Sequence, residues 1–187
     1  MAYFHVLKSA EDRKLLLGWW HWLNEPGSRG ERAQLRRAVS PEDILLTSAF
    51  ANFLRKMPEH WGRSKRIQLL DAAMVAAVLA RVDTEEVTKK KDEDINFAKA
   101  LAKPKEKGGK APMSELRFQQ LQKSQSTDDF FRRVCRAVSL LKGKAPVLSL
   151  ADDILHWLRE HRYGPASKAT DRLAVRWASD YYTEFKD

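Results

Sequence analysis

The stretch IQLLDAAMVAAVLARV, Ile67 to Val82, decides the fold. It is so apolar that it reads as a helix buried at the centre of the molecule, with Leu69, Leu70, Ala73, Met74, Ala77 and Val78 in the core. Upstream, Trp61 to Arg66 is a basic loop, and Pro58 closes the element before it. That element opens on Ser40-Pro41-Glu42-Asp43: an N-cap serine, proline at the first helical position and acids in the first turn. Its apolar face of Ile44, Leu45, Ala49, Phe50, Phe53, Leu54 and Met57 predicts one helix ending at Pro58.

Before it stands Arg29-Gly30-Glu31-Arg32-Ala33-Gln34-Leu35-Arg36-Arg37-Ala38, predicted as a helix to Val39. Arg29, Arg32 and Arg36 fall at i, i+3 and i+7 on one face, while Arg37 points about 100° from Arg36. Leu35 and Ala38 pack inward. Guanidinium groups are always charged and fit phosphate, so this is a candidate basic ridge. A turn at Asn24–Ser28 joins it to a first helix. That helix is capped by Ser9 with Asp12 and carries Leu15, Leu16, Leu17, Trp19, Trp20, Trp22 and Leu23. Core packing accounts for the three tryptophans better than base stacking does.

Downstream of the central helix, Lys89-Lys90-Lys91-Asp92-Glu93-Asp94 reads as an exposed loop whose charges cancel. Ile95 to Ala102 is a helix with Lys99 exposed. Residues 103–112, rich in Lys, Gly and Pro, form the one linker-like run. Ser114 caps a helix bearing Leu116, Phe118 and Leu121, with Arg117 and Lys123 outside. Thr127-Asp128-Asp129 starts the next, with Phe131, Val134, Cys135, Val138 and Leu141 in its core, and Gly143 fits its stop. Asp129, Arg132, Arg133 and Arg136 share its other face. Ser149 with Asp152 is read as the cap of a helix bearing Ile154, Leu155, Trp157 and Leu158. A last helix from about Thr170 packs Leu173, Trp177 and Tyr181. No segment sustains strand alternation. The expected fold is all-α: two small helical bundles, 1–102 and 113–187, joined by the Lys/Gly/Pro-rich linker 103–112.

The chain has 187 residues, is 43% hydrophobic and 32% charged, and carries a formal net charge of +9. Residues 1–98 are net +2, residues 99–144 net +8 and residues 145–187 net −1. The middle therefore holds nearly all of the excess, the electrostatic footprint of a nucleic-acid binder. A single cysteine, Cys135, excludes an intrachain disulfide. The start shows no charged-then-apolar signal, and no apolar run reaches the roughly 18 residues of a membrane helix, so a cytoplasmic protein is expected.

Catalytic constellations are weak. His5, His21, His60, His156 and His161 form no His-Glu-x-x-His and stand at no zinc spacing with cysteine. Cys135 lies on an apolar face and reads as filler. The acid pairs Asp128-Asp129 and Asp152-Asp153 suit helix starts. Lys107-Gly108-Gly109-Lys110 lacks the spacing and the preceding strand of a phosphate loop. The expectation is a protein without catalysis, cofactor or metal.

Several motifs resemble a family. Trp19-Trp20-x-Trp22-Leu23, Arg29-Gly30-x-Arg32-Ala33-x-Leu35-Arg36-Arg37-Ala38, Ser40-Pro41 and Ala49-Phe50 look like the N-terminal half of the CasB family, the small subunit of the type I-E CRISPR effector. Arg117-Phe118-x-x-Leu121, Arg132-Arg133-x-x-Arg136-Ala137-Val138-x-Leu140-Leu141-Lys142-Gly143, Pro146-Val147-Leu148, Trp157 and Trp177-Ala178-x-Asp180-Tyr181-Tyr182 are similar to its second half. The order matches over most of the chain, and residues 103–112 match no motif. The resemblance implies a non-nuclease, α-helical two-bundle subunit of the RNA-guided complex Cascade. It implies two copies per complex and contacts with the guide-binding backbone subunits and the large subunit. A membrane-surface role is not expected, since no basic amphipathic helix stands apart from the folded core. It also implies a basic surface that steadies the R-loop of guide RNA, target DNA and displaced strand.

Sequence-independent tracking of sugar–phosphate needs positive charge and no base-reading motif. The expected contacts are Arg32, Arg36 and Arg37 in the first half and Arg117, Arg132, Arg133, Arg136 and Lys142 in the second, with Arg29, Lys99 and Lys123 secondary. Asp129 could instead pair with Arg133 as an i, i+4 helix bridge. Two rivals stand beside this reading. A free-standing DNA-binding regulator would need a recognition helix, of which there is no clear sign. A scaffold would turn its basic surface towards acidic proteins.

Overall fold

Alanine and valine packed at helical spacing leave the central segment no polar face, so it can be stable only when surrounded. The computed structural model describes residues 3–87 and 94–185 and buries this segment from Asp71 to Ala80. In chain order the helices are α1 (Ala10–Leu23), α2 (Arg29–Arg36), α3 (Ser48–Lys56), α4 (Leu69–Leu79), α5 (Phe97–Ala102), α6 (Glu115–Gln122), α7 (Thr127–Leu140), α8 (Val147–Tyr163) and α9 (Leu173–Glu184). The protein is all-α, apart from a two-residue parallel ladder of β1 (Thr84–Glu85) on β2 (Lys144–Ala145), with Thr84 opposite Lys144. The Lys89–Asp94 charge block, except for Asp94, lies outside the described residues.

Every residue of α4 from Asp71 to Leu79 is buried. It packs along α8 and touches α2, α3 and α7. Leu69 and Leu70 do not share that burial; at 44% and 43% exposure they stand at its open N-terminal end. Asp71 anchors that end: it accepts from the backbone N–H of Gln68 at 2.9 Å and from the Arg162 guanidinium of α8 at 2.6 and 3.2 Å.

The division at residues 103–112 is kept as a proposal about folding units. In the assembled chain α5, before that stretch, packs along α9, beyond it. Asn96 donates to Asp180 at 2.9 Å, and the Tyr181 hydroxyl donates to Met113 O at 2.7 Å. One apolar cluster includes Val6, α4 and Tyr181.

Some element boundaries differ from expectation. The predicted helix from Ser40 to Met57 is broken into a 3-10 turn at Pro41–Ile44 and the separate α3. Asp43 accepts from the amides of Val39 and Ser40 at 2.7 and 2.9 Å, and these bonds hold its carboxyl below the usual range. Thr47 then offers a second cap: its hydroxyl accepts from Phe50 N at 3.2 Å and donates to Ile44 O at 2.6 Å. α2 ends at Arg36 rather than Val39. Ser149 and Asp152 do not cap α8, which starts two residues earlier at Val147. Ser149 Oγ accepts from Phe97 N at 3.0 Å, and Asp152 accepts from the amides of His5, Val6 and Leu7 at 2.8, 2.8 and 2.7 Å. Leu116 is 65% exposed and Cys135 only half-buried, while Phe130 joins Phe131 in the core.

The end of α7 is shaped by Gly143. Lys142 and Gly143 are successive left-handed residues, with φ of 55° and 72°, and Gly143 N returns to Val138 O at 3.1 Å. Gly143 O accepts from the amides of Asp83 and Thr84 at 2.7 and 3.1 Å. A Cβ at Gly143 would collide with the Asp83 carboxylate. Gly143→Ala is expected to destabilise the protein by more than about 1 kcal/mol, read as a lower urea midpoint at constant slope.

A second stability effect depends on pH. Asp153 is buried against α9 and accepts from Trp177 Nε1 at 2.8 Å. Burial pushes its carboxyl up to about 7, a shift the Trp177 bond opposes. Its folded-state value is raised, so the stability it contributes is complete below the ordinary Asp range and is lost as pH rises towards 7. Asp153→Asn keeps the acceptor and removes the titration. Its stability relative to the parent should rise between pH 5 and pH 8, by on the order of a few kcal/mol at the upper end. Denaturation curves across that range measure it.

Candidate nucleic-acid interface

α2 presents its arginines in two directions. Leu35 is buried, which turns the face carrying Arg32 and Arg36 towards the end of α4. Arg32 Nε donates to Ala80 O at 3.1 Å and its NH2 to Val82 O at 3.5 Å, and the same NH2 pairs with the Asp83 carboxylate. Arg36 NH1 reaches Asp83 at 3.5 Å. Arg37, about 100° round the helix, is exposed and has no carboxylate partner among the described residues. Arg29 is likewise exposed.

Arg81, which the sequence reading did not single out, answers Arg32. Its NH2 donates to Arg36 O and Ala38 O at 2.8 and 2.6 Å, and its guanidinium lies 5.3 Å from the centre of the Phe131 ring of α7. These bonds stop α2 at Arg36. They also set the α2 C-terminus beside α7, where Phe131 and Cys135 face inward and Arg132 and Arg136 are the residues that follow them. Asp83 draws the end of α7 to the same junction through Gly143, so exposed Lys142 stands there too.

The α7 arginines differ among themselves. Arg133 Nε holds Asp129 at 2.9 Å, the i, i+4 alternative, and this bond is the main reason that the Asp129 carboxyl sits below its usual range. Arg132 is 3.9 Å from the same carboxylate and mostly exposed. Arg136 is exposed with no carboxylate partner among the described residues. Arg117 and Lys123 are exposed on α6, which is fastened towards α9 by Gln122 Nε2 on Ala174 O at 2.9 Å and by the Tyr182 hydroxyl on Glu115 at 2.8 Å. Among the described residues no hydrogen bond or ion pair ties the Arg117 or Lys123 side chain to α2 or α7. Lys99 is half-buried on α5, with Nζ 3.4 Å from Asp94 O. The candidates therefore divide into Arg36 and Arg37 at the α2 C-terminus, Arg132, Arg136 and Lys142 along α7 and just past its end, and a separate α6 pair.

Two further lysines lie at the junction's edge. Lys105 Nζ donates to Leu141 O at 2.7 Å, and Lys144 pairs with Glu86 at 3.2 Å. Both contribute to the surplus of residues 99–144. Only the fold shows that Lys105 doubles back to α7.

Groups that could suggest catalysis are occupied by structure. Burial pushes the Cys135 thiol up to about 11, away from thiolate chemistry. His156 lies between Glu160 at 3.1 Å and Arg176 at 3.2 Å and stacks on His5 with ring centres 4.6 Å apart. Among the described residues no three His, Cys, Asp or Glu side chains gather to hold a metal, and no helix is long and apolar enough to cross a membrane.

The family model described as CRISPR-associated protein Cse2 matches residues 31–182 of this chain. No curated protein matches the chain, and no solved structure does.

The division of the arginines can be measured. Arg32→Ala removes the bonds to Ala80 O and Val82 O and is expected to lower unfolding free energy by about 1–3 kcal/mol. Arg37→Ala, on the open side, should stay within about 0.5 kcal/mol of the parent. Chemical denaturation of the two variants side by side checks the assignment.

Proposed function

Because the chain belongs to the CRISPR-associated protein Cse2 family, and so is a small subunit of the type I-E CRISPR complex Cascade, we propose that it acts without catalysis, holding sugar–phosphate strands of the R-loop against its basic surface. The observation that supports this most is the set of guanidinium and ammonium groups without a carboxylate partner among the described residues: Arg37, Arg117, Arg136 and Lys142, exposed on a chain of net charge +9. Exchange of a DNA duplex for a guide–target heteroduplex is nearly balanced, so a few backbone contacts suffice to tip it. The partners are guide RNA and target DNA, bound without regard to sequence, the other Cascade subunits and a second copy of the chain. Arg132 is a further contact. Arg36, half-exposed, contributes through whatever charge Asp83 leaves uncompensated. Arg32 and Arg133 act mainly by fixing the helices that carry the others, and Lys99, Lys123 and Arg29 lie at the margins.

The test is a triple variant, Arg37→Ala with Arg117→Ala and Arg136→Ala, assayed on a single strand over a range of salt. Unfolding should be unchanged. The slope of log affinity against log salt should fall by about 0.7 for each phosphate that the variant no longer neutralises. Affinity and slope both equal to the parent's would exclude these residues. A parent chain that binds no nucleic acid unless protein subunits are present would favour the scaffold reading.

A further inference from the structure

The Lys-rich stretch 103–112 has no part in the reading above. It does not stand away from the body. Met113 N returns to Leu101 O at 3.0 Å, closing the stretch into a loop, and Lys105 pins that loop to the last turn of α7 through Leu141 O at 2.7 Å. Where the loop meets α7 and β2 there is a recess of about 250 Å³. Ile95, Ala100, Pro104 and Leu141 form its apolar floor, and Lys105 and Lys144 stand on its rim.

The charge around it is unbalanced. The Lys105 ammonium is held below the usual lysine range, first by burial and then by the positive charges of Lys142 and Lys144. Among the described residues Glu86 is the one carboxylate lining the recess, and it is paired to Lys144. Like charges pressed together beside an apolar hollow suit a ligand that is anionic outside and flat and apolar within. The volume lies below the roughly 300–1,000 Å³ of sites for drug-sized molecules. It suits a single base.

We propose that this recess takes one unpaired nucleotide of a sugar–phosphate strand, its base on the apolar floor and its flanking phosphates on Lys105, Lys142 and Lys144. The proposal rests on the strand-binding function above and adds that the strand is single at this point, since a base in a duplex would first have to be unpaired and unstacked to enter. Lys142 precedes Gly143, whose carbonyl takes the Asp83 amide, and Asp83 touches Arg36. A strand leaving the recess thus meets the junction arginines next.

The experiment uses the full chain with an oligothymidylate of about 12 nucleotides, within the span of non-specific single-strand sites. A strand of equal length whose central sugars lack bases is the comparison. The parent should prefer the strand with bases. Lys105→Ala with Lys142→Asn and Lys144→Gln should bind oligothymidylate about tenfold more weakly, with a shallower salt slope, and lose the preference. Asparagine tolerates the left-handed backbone at position 142. If the triple variant unfolds early, the single Lys105→Gln, which keeps a donor towards Leu141 O, should still lose the preference. A preference that survives in folded variants overturns the proposal, and so does a parent that binds both strands equally. Where the recess variants bind as the parent does while the Arg37, Arg117 and Arg136 variant is weakened, the recess is excluded and strand binding stands. A parent that binds neither strand removes both.

Discussion

The carbonyl groups at the end of α4 set the architecture. A helix buried all round gains most of its stability from apolar contact, but such contact fixes its depth better than its rotation or its axial position. The carbonyls of Ala80 and Val82, buried just beyond its last turn, have no partner within the helix and must find one elsewhere. Trp20 of α1 donates to Val82 O at 3.1 Å, and Arg32 of α2 donates to Ala80 O and Val82 O. Arg81 then leaves the same helix end to satisfy the carbonyls that close α2. The two helices terminate one another. The register of α4 against α1, α2 and α7 is therefore specified by polar bonds at one end of an apolar rod.

That arrangement explains how much could be read from the sequence. The apolar run at 67–82 and the periodic faces around Trp19, Phe53, Phe131 and Trp157 carry local information, and the corresponding helices are present. Caps are legible where the partner is near, as with Ser9 on the amide of Asp12 at 3.5 Å. They mislead where a distant segment takes the side chain first. Ser149 and Asp152 have cap spacing, yet their oxygens hold Phe97 and residues 5–7. Nothing in a window around 149–152 could disclose that competition. The break between Pro41 and Ser48 is a different case: Asp43 and Thr47 are both good caps, so the segment holds two helix starts where its apolar face suggests one.

The arginine run shows the same limit on the functional side. The i, i+3, i+7 spacing places Arg29, Arg32 and Arg36 together, and a shared face of that kind suits a phosphate chain. In the fold Arg32 and Arg36 on that face turn to Asp83, leaving Arg29 exposed at its N-terminal end, while Arg37 on the adjacent face looks outward. Amphipathic spacing reports which charges travel together. It does not report which of them will find backbone carbonyls, because Ala80 and Val82 lie 48 and 50 residues away from Arg32.

For the proposed strand-binding role the consequence is a shift of weight towards the second half of the chain. Around α2 the positive charge is partly cancelled by Asp83 and anchored to backbone, so it is costly to redirect to a ligand. On α7 and at its end the groups are less constrained: Arg136 and Lys142 have no carboxylate partner among the described residues. Counterion release rewards charges that can approach phosphate without giving up an internal bond. A structural arginine and one free to meet an anion are thus distinguished by what each would have to surrender, and Arg32 and Arg37 represent the two kinds.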